Sequence, residues 1–70
     1  MIALSETKTG ERVTIKWIFG LPEVISFMKQ YDISEGSTIQ IIQKMAGGVI
    51  IGKDDLRIAM NDGVAQRIKV

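Results

Sequence analysis

Asp54-Asp55 is the one pair of adjacent carboxylates in this sequence. Neighbouring residues of a strand point to opposite faces, so the two acids share a target only if a turn reorients them. A defined site for a hard cation takes about six or more oxygen ligands. The pair therefore reads as a solvated hairpin turn. Gly47-Gly48, with Lys44 on its basic flank, is the next candidate. Glycine pairs cradle phosphate where a strand runs through the loop into a helix. Here the loop joins two strand-like segments, which argues against that use. Met28, Met45 and Met60 offer soft sulfur but read better as core filling. The chain has no histidine and no cysteine. Imidazole chemistry, cysteine nucleophiles, disulfides and thiolate metal sites are thereby excluded. Serine and threonine have no histidine to activate them. The residues predict no catalytic group, no cofactor and no metal site, hence a protein that is not an enzyme.

Composition narrows the classes further. Nine basic and eight acidic residues leave a net charge of +1, too balanced for binding nucleic acid through charge alone. No apolar run approaches the roughly 20 residues that cross a bilayer, so no direct membrane insertion is expected. The N-terminus lacks the basic region and long apolar core of a signal peptide. The expectation is a soluble, cytoplasmic protein forming one domain over residues 1–70, which is enough chain for one small core.

The elements that would position any site are legible from periodicity. Tyr31 to Ile42 is the organising stretch. A helical period ends at Tyr31, Ser34-Glu35-Gly36 supplies turn chemistry, and Ile39 and Ile41 open a strand period. Upstream, Arg12 to Phe19 alternates, with Val13, Ile15, Trp17 and Phe19 on one face. One continuous strand is predicted there, with Trp17 packed inward. Ile2 and Leu4 are further candidates to pack inward. Gly20 breaks the strand and Pro22 suits a first helical turn. Leu21, Val24, Ile25, Met28 and Tyr31 follow helical spacing, widened by Phe27, so a helix is predicted over residues 22–31. Thr38 to Met45, Val49 to Ile51, Leu56 to Met60 and Ile68 to Val70 complete the strands. Adjacent Ile41 and Ile42 point to a bulge or to cover on both faces. Five short strands with closely spaced turns predict a mostly β fold, a small barrel with one inserted helix.

A barrel with a filled interior must bind through its exterior. The polar side of the helix, Glu23, Ser26, Lys29 and Gln30, continued past the turn by Asp32 and Glu35, is the predicted partner-binding surface.

Placed on these elements, several segments resemble one family. Leu4-Ser5-Glu6 followed by Gly10-Glu11, the run Tyr31 to Ile39, Leu56-Arg57-Ile58-Ala59-Met60, and Val64-Ala65-Gln66-Arg67-Ile68-Lys69-Val70 are similar, in order and spacing, to the FeoA family of ferrous iron transport. The resemblance spans nearly the whole chain. Three departures stand out: Tyr31-Asp32 replaces the usual leucine-glycine, Lys29 is the helix's only basic residue, and the Gly47-Gly48 loop lacks the common proline. The resemblance implies an SH3-like barrel and a non-catalytic accessory protein of iron uptake; a monomer is expected. It also implies a partner, a FeoB-like membrane transporter with a cytosolic GTP-binding domain. Two alternatives remain open. One is a small nucleic-acid-binding barrel, for which Lys16, Arg57, Arg67 and Lys69 supply charge, while Trp17 and Tyr31 read as packing residues. The other is a metal-regulated module like the tails of some iron-dependent repressors.

Overall fold

The β-branched run from Thr38 onward sets the centre of the fold. In the computed structural model, which describes residues 1–70, it forms strand β3 (Thr38–Met45), followed by β4 (Gly48–Lys53) and β5 (Leu56–Asn61). The three make an antiparallel meander joined by tight turns at Ala46-Gly47 and Asp54-Asp55. Gly47 and Asp54 take the positive φ that such turns demand, at 82° and 55°. A short β1 (Arg12–Thr14) adds to the free edge of β3, for a sheet order β1-β3-β4-β5. Between Ile41 and Gln43 the register with β4 slips, so the bulge suggested by adjacent isoleucines is present. Ile39 and Ile41 before it are fully buried. Lys44 beyond it is half-buried, its ammonium donating to the Ser5 carbonyl.

A second, two-stranded sheet pairs β2 (Trp17–Ile18) with β6 (Ile68–Lys69), and Ala3 bridges to Lys69 on the other side of β6. The one-turn helix α2 (Asp62–Ala65) carries the chain from β5 to β6. It is capped by Asn61, whose Oδ1 accepts from the Val64 N–H at 2.9 Å. The fold is thus mostly β, with six strands in two antiparallel sheets around one core. That core comprises Leu4, Ile15, Met28, Ile33, Ile39, Ile41, Val49, Ile51, Ala65 and Ile68.

The expectation of one strand over Arg12 to Phe19 fails at its middle. β1 and β2 belong to different sheets: the Ile15 N–H donates to the Ser37 carbonyl, and the next N–H, of Lys16, to that of Lys69. At this corner the inward positions run Val13, Ile15, Ile18, not Val13, Ile15, Trp17. One extra residue shifts every later side chain to the opposite face. Trp17 and Phe19, predicted to pack inward, are therefore exposed, by 50% and 38%. Leu4 is buried as expected, but Ile2 is exposed and Ala3 takes the inward place. Met45 is also exposed, because it lies past the bulge at the strand's end.

The inserted helix α1 (Pro22–Gln30) follows the predicted helical period, with Pro22 and Glu23 in its first turn, and ends one residue before Tyr31. Its end is a Schellman motif. The Asp32 N–H donates to Lys29 O and the Ile33 N–H to Met28 O, both at 3.0 Å. Asp32 holds the left-handed position, φ 61°. The apolar contact that accompanies such a motif is made by Met28 and Ile33, both buried in the core.

Candidate functional site

The helix carries more apolar residues than its support can cover. Of its nine residues only Met28 is fully buried, and Val24 and Ile25 are half-buried. Leu21, Phe27 and Tyr31, all counted in the predicted packing stripe, remain exposed by 43 to 48%. The reason is geometric. A stripe six positions wide wraps around the helix, while Met28 is its only member fully buried in the core. Phe27 and Tyr31, four residues apart, lean together with ring centroids 5.1 Å apart.

Leu21 and Phe27 line two grooves, one on each side of α1. The first, between α1 and the β2–β6 sheet, is a crevice of only about 10 Å³ walled by Phe19, Leu21, Ile25 and Ile68. The second, about 300 Å³, lies between α1 and β5 and is walled by Phe27, Ile58 and Met60, with Glu23 at its rim. Val24, Met28 and Val64 floor both, so the two are one apolar surface interrupted by the helix. Exposed apolar surface of this kind, rimmed by polar groups, is the usual mark of an interaction site.

Of the predicted site residues only Glu23 lines either groove. Glu23, Ser26, Lys29 and Gln30 are exposed on α1. Lys29 and Glu35 come together around a depression with Ile18 and Ile33, where a Glu35 carboxylate oxygen accepts from the Ile18 N–H at 3.3 Å. Glu23 lies on the opposite flank. Asp32 is turned to the β4–β5 hairpin, where Lys53 Nζ sits 2.9 Å from its Oδ2 and also donates to its carbonyl. The residues that sequence reasoning missed are Leu21, Phe27 and Tyr31, because helical spacing marks an apolar stripe without saying how much of it finds a partner. The one available signal was the stripe's width.

The remaining chemistry is structural. No group of three or more acidic residues is placed to hold a metal ion. Asp54 and Asp55 are exposed at the hairpin tip, with the Asp54 carbonyl accepting from Arg57. The buried Thr7 hydroxyl donates to Leu4 O at 2.6 Å, and no buried side-chain nitrogen or oxygen lacks a partner. No helix is long and apolar enough to cross a membrane.

A model of the FeoA domain matches residues 2–70. Among solved structures, the crystal structure of an iron uptake regulatory protein (FeoA) is 27% identical to this chain. The match covers 96% of this chain and 89% of that one, with a TM-score of 0.80. The solution structure of the FeoA protein from Chlorobium tepidum superposes with a TM-score of 0.87 over 97% of this chain and 67% of that one. At 18% identity, that second likeness speaks for the fold alone. No curated protein matches the chain.

Proposed function

Since the chain belongs to the FeoA family, we propose that it is a non-catalytic, cytosolic accessory protein of bacterial ferrous iron uptake. On this reading it acts as a monomer, by contact with the cytosolic GTP-binding domain of a FeoB-like membrane transporter. The observation that carries the proposal is the uncovered apolar surface astride α1, with Phe27 and Leu21 exposed at its two flanks. A fold this small cannot spare large apolar groups at its surface without cost in solubility, so their clustering around one element favours a protein partner. Glu23 borders the groove against β5, and Ser26, Lys29, Gln30, Asp32 and Glu35 extend the contact beyond it, where charge tunes association more than affinity. The apolar grooves supply the desolvated centre, where most binding energy concentrates.

The test is a calorimetric titration of the transporter's cytosolic domain with wild type, Phe27→Ser and Lys29→Glu. Phe27→Ser is expected to weaken binding by about tenfold or more, as loss of an exposed aromatic anchor should. Lys29→Glu, a rim change, should weaken it less and alter its salt dependence. Both substitutions are at exposed positions and should leave the fold intact. Wild-type affinity in both folded variants would remove α1 from the contact.

A further inference from the structure

We propose that the outer face of the β2–β6 sheet docks on an anionic lipid bilayer. The register places Trp17 opposite Lys69, and the Phe19 N–H donates to Arg67 O at 3.0 Å, so the next rung sets Phe19 opposite Arg67. Paired residues of an antiparallel ladder share a face. Two aromatics on one strand therefore stand beside two cations on the other, on the face opposite the inward Ile18 and Ile68. The Trp17 and Phe19 rings pack at 5.0 Å between centroids, and Lys69 Nζ lies 5.6 Å from the centre of the Phe19 ring. The stem of Arg67 lies across Gly20, where any side chain would collide with it, and its guanidinium donates to Gly63 O at 3.2 Å. Leu21, 47% exposed, continues the apolar strip beside Phe19. Two acids border the face, Glu6 and Glu35. Each accepts a hydrogen bond from a backbone N–H, of Ala3 and of Ile18.

Exposed Trp, Phe and Leu flanked by Lys and Arg is the chemistry of an interface between water and lipid. The apolar groups enter the acyl boundary while the cations stay at the anionic headgroups. Lys69 and Arg67, which stand on the face itself, favour an anionic surface as the occupant. A single-stranded nucleic acid would need free ring faces for base stacking, whereas here Trp17 and Phe19 pack against each other and Lys69 lies over Phe19. An aliphatic leucine in the same strip also suits acyl chains better than bases. This reading does not depend on a protein partner at α1.

Trp17 is the only tryptophan, so its emission reports on this face alone. The protein is mixed with vesicles of phosphatidylcholine and phosphatidylglycerol in equal parts, and with vesicles of phosphatidylcholine only. The expected result is cosedimentation and a blue shift of Trp17 emission with the anionic vesicles only, fading as salt rises. One cation near such a surface contributes about fivefold in partitioning. Lys69→Glu should therefore bind at least about fivefold more weakly, and Trp17→Ser should bind more weakly with its charge unchanged. Arg12→Glu, an exposed position on β1 of the other sheet, should bind like wild type. Folded wild type with no shift on anionic vesicles would overturn the proposal. So would equal loss in Arg12→Glu, or a larger response of Trp17 to oligodeoxythymidine than to vesicles. No transporter domain is present, so failure here leaves the α1 reading standing.

Discussion

Replacing Met28 separates two cooperative units if α1 is held as the structure indicates. The helix has nine residues, well below the length at which an isolated helix persists in water. Its one fully buried side chain is Met28, while the sheet buries Ile39, Ile41, Val49 and Ile51. Removing Met28 to alanine should cost about 2–5 kcal/mol, against a total stability of roughly 4–10 kcal/mol for a chain of this length. Every opening that breaks the Met28 contact becomes easier by that amount. Protection of α1 amides against hydrogen exchange should fall by about 30-fold to several thousand-fold, and that of β4 amides by the same factor, because global unfolding also loses the contact. Ile39→Ala, at a fully buried position of β3, supplies the contrast. It should lower β4 protection by a similar factor and leave α1 amides unchanged, because α1 opens without disturbing Ile39. Exchange measured by NMR at Ser26, Lys29 and Gln30 against Val49 and Ile51 reads both variants. If Ile39→Ala lowers α1 and β4 protection equally, the helix is not a separate unit and the reasoning from its sparse burial is wrong.

Gly48→Ala should destabilise by roughly 1–3 kcal/mol, because a Cβ there would lie 2.5 Å from the Met60 carbonyl, a backbone atom of β5. Gly52→Ala should cost less, since its obstacles are the movable ends of Arg57 and Ile42, and urea unfolding will rank the two. Asp32→Gly should change stability by no more than about 1 kcal/mol. It relieves a non-glycine residue at φ 61° but loses an exposed ion pair with Lys53 and adds freedom to the unfolded chain. A larger change in the urea midpoint would mean that the pair does more than tie the hairpin to the helix end. Titration with Fe²⁺ under anaerobic calorimetry should show no stoichiometric sub-micromolar site, because imidazole and thiolate are both missing; a tight site would require a carboxylate cluster that the fold does not assemble.

Local rules determined a good part of this protein directly from its sequence. The helix from Pro22, the meander from Thr38 to Asn61, the bulge at adjacent isoleucines and the turn at Asp54-Asp55 all follow from periodicity and turn chemistry within a few residues. The burial of Leu4, Ile15, Ile39 and Ile41 follows from the same patterns. The absence of histidine and cysteine bounded the chemistry with no structure at all. Tertiary structure decided what depends on a neighbour distant in sequence. Arg12 to Phe19 alternates without interruption, but Ser37 and Lys69 claim successive backbone N–H groups and turn the chain from one sheet to the other. Nothing local to that stretch announces the corner, and it is the corner that turns Trp17 and Phe19 outward. Likewise, helical spacing shows that Leu21, Phe27 and Tyr31 lie near an apolar stripe. Only the fold determines that they stay uncovered, because burial requires a second surface and a sequence pattern describes only the first.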